Sequence, residues 1–180
     1  MLNQEEKIIL LQIARKTLEK FFQGKPYIYK EKITKNINKK LGAFVTIKKE
    51  NDLRGCIGYI ISPDHLYKTI SDLSKQAAFN DSRFNKLSED ELENIKIEVS
   101  VLTEPIKIDS PKKIELGRHG VIVEQGRKKG LFLPQVAIEN NWDLETFMNY
   151  LCEHKADIPK DNWKNGKVDI YTFESQVFSE

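Results

Sequence analysis

Half of what this 180-residue sequence has to say lies in what it lacks. There are two cysteines, Cys56 and Cys152, far apart in a chain of ordinary domain size. That excludes a disulfide-stapled secreted scaffold and favours a reducing compartment. No apolar run is long enough to span a bilayer. The N-terminus, MLNQEEKIILLQ, puts glutamates where a secretory signal carries basic residues. Cytoplasm is the location these absences leave. Charge of one sign is also missing: Lys+Arg is 29 and Asp+Glu is 27, a net charge of +2. A nucleic-acid binder shows a clear basic excess, so composition argues against nucleic acid, as it does against membrane. There is no Cys-x-x-Cys, no His-Glu-x-x-His and no glycine-rich phosphate loop. Cys152 and His154 are two apart on an expected helix and point different ways. The sequence thus calls for no metal and no cofactor.

What is present reads as one globular chain, with 39% hydrophobic and 31% charged residues. Residues 3–22 are expected to form an amphipathic helix, capped by Asn3 with Glu6 three residues on. Its stripe would be Ile8, Leu11, Leu18 and Phe22, interrupted by Arg15. Gly24 and Pro26 stop it. Residues 25–41 are lysine-rich and read as a loop with a short helix. Tyr27 and Tyr29 lie there among lysines, a pattern that can stack bases, although Glu31 and the small net charge weigh against it. Ala43–Lys48 and Leu53–Ile61 read as a hairpin. His65–Asn80 is a helix with Leu66, Ile70, Leu73 and Ala77 on one face. Ser88–Glu91 is a second capping box, and Ile95–Leu102 alternates as a strand before Glu104–Pro105 breaks it. Strands at Val121–Glu124 and Lys129–Leu133 flank a basic tip. A short helix follows Pro134, a longer one runs Asp143–Lys155, and Val168–Phe173 is a last strand. Hairpins among interspersed helices predict an α+β fold, an antiparallel or mixed sheet with flanking helices.

The chemistry-bearing candidate is the strand LRGCIG at 53–58. Alternation puts Arg54, Cys56 and Gly58 on one face and Leu53, Gly55, Ile57 and Tyr59 on the other. A guanidinium beside a thiol would favour the thiolate. Gly55 and Gly58 would let a ligand or another backbone approach closely. The plainer reading keeps Cys56 as a small buried hydrophobe and Arg54 in a structural ion pair. Asp81 and Arg83 follow a helix, where they pair with each other or reach the sheet. Glu98 lies mid-strand, on a solvated face, as a partner for Arg54, or as a general base. His119 lies between two glycines in a turn. Cys56, His119 and Glu98 or Asp81 have the residue types of a nucleophile triad, but no spacing rule joins them.

The run GAFVTIKKENDLRGCIGYI resembles the hallmark segment of the AMMECR family. The resemblance continues through AAFNDSRF at 77–84, KIEVSVLTEP at 96–105 and GRHGVIV at 117–123. It goes on through LFLPQVAIENNW at 131–142 and YLCEHKADIPKDNW at 150–163, and ends at FESQVFSE. The family's usual Asp-Pro-Arg-Phe stands here as Asp81-Ser82-Arg83-Phe84, and its Lys-Ala-Gly-Leu as Lys155-Ala156-Asp157-Ile158. The resemblance implies one domain over 1–180, with a larger and a smaller subdomain on antiparallel sheet. It implies no established reaction, and in prokaryotes an association with Memo-family proteins and radical SAM enzymes. On the matching motifs it offers Arg54, Gly55, Cys56 and Gly58, then Asp81, Arg83, Glu98, His119, Gln135, Cys152 and Lys155. Three functions follow: a domain that binds a small ligand or partner in a modification pathway, a cysteine-dependent enzyme with Cys56 as nucleophile, or a pure interaction adaptor.

Overall fold

A computed structural model describes all residues 1–180. In chain order it contains α1 (Gln4–Phe22), β1 (Ala43–Lys49), β2 (Asp52–Tyr59) and α2 (Leu66–Phe79). A 3₁₀ turn at Glu89–Glu91 precedes β3 (Ile95–Leu102) and β4 (Ile106–Ile108). Next come β5 (Gly120–Gln125), β6 (Lys128–Phe132), α3 (Gln135–Glu139) and α4 (Leu144–Tyr150), which runs on as a π-helical turn at Leu151–Lys155. The chain ends with β7 (Asp169–Phe173) and β8 (Ser175–Ser179). The fold is α+β, with two four-stranded sheets, β2-β1-β3-β8 and β4-β7-β5-β6. No helix is long and apolar enough to cross a membrane.

The chain divides into two compact units. The first is Met1–Leu102 with Gln176–Glu180, and the second is Thr103–Ser175. In the first, α1 starts where Asn3 Oδ1 accepts the Glu6 N–H at 2.9 Å and Glu6 Oε2 accepts the Asn3 N–H at 2.9 Å. That reciprocal cap satisfies two donors the helix start leaves open. The buried face of α1 is Leu10, Ile13, Ala14, Thr17 and Leu18, and Ile8 is exposed. The stripe read from the sequence is therefore rotated. Arg15, its polar interruption, donates to the carbonyls of Leu92 (2.7 Å) and Ile95 (2.9 Å) and pairs with Glu180. β1 and β2 form an antiparallel hairpin closed by Glu50 and Asn51, both with positive φ. Two such residues give the turn whose twist matches the strands. Ala43, Val45 and Ile47 of β1 and Ile95, Ile97, Val99 and Val101 of β3 are buried with the apolar faces of α1 and α2. The short helix expected within 25–41 is absent, and residues 35–38 are turns.

In the second unit β5 pairs antiparallel with β6 and with β7, and β4 pairs antiparallel with β7. Its core joins Val121, Val123, Phe132, Phe147, Met148, Leu151 and Cys152. Asp157 occupies a left-handed conformation, φ 51°, at the position where the family carries glycine, and its carboxylate pairs with Lys128 at 2.7 Å. Strands β4 and β8 are additions to the sequence reading. At three residues β4 is too short for a periodic signal.

Candidate functional site

Strand β2 carries the motif, and its register explains how the motif is used. Cys56 lies opposite Thr46, Gly55 opposite Ile47, and Leu53 opposite Lys48, so Arg54 has no partner across the ladder. It is the extra residue of a β-bulge, which re-aims side chains relative to simple alternation. The Arg54 guanidinium turns to Glu91, donating from Nε to Oε1 at 3.0 Å and from Nη2 to Oε2 at 2.9 Å. It also donates to the carbonyls of Asn85 (2.8 Å) and Lys86 (3.3 Å). Lys49 reaches the same carboxylate at 3.1 Å. The expected Arg54–Cys56 pairing is thus replaced by an Arg54–Glu91–Lys49 cluster, because the bulge breaks the period of two between them. Glu91 is 9% exposed. The Arg54 hydrogen bonds lead in holding its carboxyl down at about 2 against the cost of burial, helped by Ser88 and Lys49.

The thiol of Cys56 has different company. It accepts a hydrogen bond from Thr46 Oγ1 at 3.3 Å. β2 is the edge of its sheet, and at Cys56 the edge is closed by an ion pair. The Cys56 N–H donates to Asp81 Oδ2 at 2.9 Å, and Arg83 Nη2 donates to the Cys56 carbonyl at 3.2 Å. Arg83 also grips Asp81, from Nε to Oδ1 at 2.9 Å and from Nη2 to Oδ2 at 2.8 Å. The carboxylate and guanidinium occupy the place of a neighbouring strand, so both backbone groups of Cys56 are satisfied at an otherwise open edge. Asp81 is 6% exposed. The Arg83 hydrogen bonds hold its carboxyl well below the usual carboxylate range against burial, and the N–H groups of Cys56 and Arg83 add to this. Asp81→Ala leaves the Cys56 N–H without its partner. The expected loss is about 2 kcal/mol in urea unfolding at neutral pH, moderated because Arg83 itself faces water.

Both glycines of the motif are explained by neighbours inside the fold. A Cβ on Gly55 would lie 2.2 Å from the Ala77 carbonyl oxygen of α2. A Cβ on Gly58 would lie 2.1 Å from the ring of Phe44, its partner across the hairpin. The space at Gly55 admits another backbone, and the space at Gly58 an aromatic ring, so neither is left for a ligand.

Across the sheet, Thr46 pairs with Cys56 on one side and with Glu98 on the other. Cys56, Thr46 and Glu98 therefore form one row, on the side away from the buried Val45, Ile47, Ile97 and Val99. All three are half-buried. Glu98 is two strands from Cys56, and its Oε2 takes the Lys48 ammonium at 2.9 Å. A general base must reach the proton it removes. Here Thr46 stands between the carboxylate and the thiol. The row can bind a polar group through a hydroxyl, a carboxylate, an ammonium and a soft sulfur, but it does not couple Cys56 to Glu98.

The remaining candidates lie in the second unit. His119 is half-buried, and its Nδ1 accepts the Glu115 N–H at 3.1 Å. Gln135 is exposed at the start of α3. The Lys155 ammonium is 5.7 Å from the centre of the Phe132 ring. Cys152 is a correction: it is 0% exposed in the core, and burial pushes its thiol up to about 11. Native protein is expected to take up one equivalent of a small alkylating agent, at Cys56, and a second only on unfolding. Mass spectrometry of the labelled peptides checks this. No sequence pattern singles out Thr46 or Lys48. The only sequence signal for Glu91 is its place in the Ser88 capping box, which the structure contains.

Comparison with known proteins follows the same chain. The AMMECR1 family model matches residues 11–178. Protein NEQ441 of Nanoarchaeum equitans is 44% identical over 180 residues, covering 95% of this chain and 98% of that protein. Protein MK0488 of Methanopyrus kandleri is 41% identical over 188 residues, covering 99% and 90%. The crystal structure of uncharacterized protein PH0010 from Pyrococcus horikoshii superposes with a TM-score of 0.79 at 35% identity, covering 95% of this chain and 89% of that one.

Proposed function

The chain belongs to the AMMECR1 family, and from that premise we propose that it is a binding domain for a small ligand or protein partner. The binding face is the Cys56–Thr46–Glu98 row of the first sheet, and the domain serves a modification pathway alongside Memo-family and radical SAM proteins. The pathway part rests on family association alone. The single observation behind the binding reading is the environment of Cys56. Its thiol meets a threonine hydroxyl, its backbone is clamped at the sheet edge, and the nearby carboxylate is taken by Lys48. That arrangement holds a recognition surface in fixed geometry and leaves the cysteine without a base, which disfavours the alternative of a cysteine-dependent enzyme.

The test is capture of purified Memo-family and radical SAM proteins from the same organism by the wild type and two variants. Cys56→Ser keeps the shape and polarity of the row and removes the nucleophile, and it should weaken capture far less than a charge reversal does. Glu98→Lys reverses the charge of the row and should reduce capture at least about tenfold. Loss of capture in Cys56→Ser with retained fold favours the nucleophile reading. No capture by the wild type, or capture indifferent to Glu98→Lys, removes the binding face.

A further inference from the structure

On the opposite side of the same sheet, loop 25–34 and α2 enclose a cleft of about 730 Å³. Its walls carry four phenol rings, those of Tyr27, Tyr29, Tyr59 and Tyr67, with Ile28 and Ile33 beside them. Tyr27, Ser71 and Lys75 also line a second groove of about 450 Å³, together with Phe21 and Pro26. Three lysines and two aspartates also line the main cleft. Asp64 takes Lys68 at 3.4 Å, and Asp72 accepts the Tyr59 hydroxyl at 3.1 Å. That leaves Lys30 and Lys75 as cations with no hydrogen-bond or ion-pair partner. Lys75 is half-buried. An ammonium partly withdrawn from water calls for a counter-charge. Tyrosine faces call for a flat ring. The volume suits a single small molecule rather than a flat protein surface.

We propose that this cleft binds a nucleoside monophosphate or a closely similar phosphorylated heteroaromatic, its ring stacked among the tyrosines and its phosphate held by Lys75 and Lys30. Both lysines act as point charges toward the phosphate. The site is independent of the Cys56 face, since Tyr59 points to the helix side of β2 and Cys56 to the other.

The test uses the full chain and three probes in calorimetric titration: AMP, adenosine and inorganic phosphate. AMP should bind saturably and at least about tenfold more tightly than either half alone, because ring and anion act on one site. Lys75→Gln should reduce AMP affinity about tenfold, to the adenosine level, and leave adenosine unchanged. Lys30→Gln, at an exposed position with no partner to lose, should shift AMP in the same direction and guards against a folding defect in the first variant. Tyr27→Leu should weaken AMP and adenosine alike. A 5′-phosphorylated octadeoxyadenylate separates two sources of the same chemistry. If it binds as well as AMP, the natural ligand is a strand end; if it is excluded, the ligand is a free nucleotide. AMP binding no tighter than adenosine overturns the proposal, as does AMP affinity unchanged in both lysine variants, or no saturable binding of any probe.

Discussion

Gly55→Ala is expected to destabilise the protein by about 3 kcal/mol or more, as a core overpacked with nowhere to yield. The new Cβ would stand 2.2 Å from the carbonyl oxygen of Ala77. That atom is backbone, fixed in α2, and the helix face around it (Ile70, Leu73, Ala77) is buried against the sheet. No side-chain rotation relieves the overlap. The helix must lift from β2, which unpacks the core of the first unit. Gly58→Ala makes the useful comparison. Its Cβ would meet the Phe44 ring at 2.1 Å, but a half-buried ring at that face can swing aside, so about 1 kcal/mol is expected. Urea unfolding at neutral pH measures both, read from the midpoint at unchanged slope. If Gly55→Ala proved as mild as Gly58→Ala, the close helix–strand approach would be wrong.

The same two glycines show what the sequence makes legible. Their presence in a strand signals a close approach, but the sequence holds no record of what approaches. The hairpin, α2 with its Leu66–Ile70–Leu73–Ala77 face, and β3 are readable because each obeys a local period or a turn rule. Arg54 departs from the alternation because a bulge inserts one residue, and nothing in LRGCIG marks where the insertion falls. The α1 stripe is hard to place because Ile8, Leu11 and Phe22 are as apolar as the buried Leu10 and Ile13. The contacts of Arg15 with the Leu92 carbonyl and Glu180 are distant in sequence and leave no local signal. The edge closure at Cys56 is half visible in the sequence. The pairing of Asp81 with Arg83 is local, but their grip on a backbone 25 residues away depends on where α2 ends against β2.

Glu91→Gln should show the other large effect, and it should depend on pH. Glu91 receives a two-pronged guanidinium from Arg54, a lysine and the Ser88 N–H. Removing its charge leaves Arg54, 16% exposed, with neutral acceptors alone. Breaking such a pair costs about 3 kcal/mol at neutral pH, the low end for buried pairs because Lys49 opens the cluster to water. The sign with pH follows from the depressed carboxyl. Its folded value is about 2, against about 4.3 in an unfolded chain. The stabilisation is fully present above the unfolded value and is lost as pH falls through the folded one. The gap in stability between wild type and Glu91→Gln should therefore be constant above about pH 5 and narrow steadily from there toward about pH 2. Asp81 titrates in the same sense in both proteins, so it cancels from the difference. Arg54→Met combined with Glu91→Gln should cost less than the two single changes added, by about 1–2 kcal/mol, because the second substitution removes an already stranded charge. Additive single changes, or a gap that ignores pH, would mean that the cluster is solvated and Arg54 is not anchored. An anchored Arg54 also predicts that Arg54→Met leaves the native alkylation rate of Cys56 unchanged, since the guanidinium serves Glu91 and the arginine beside the cysteine backbone is Arg83.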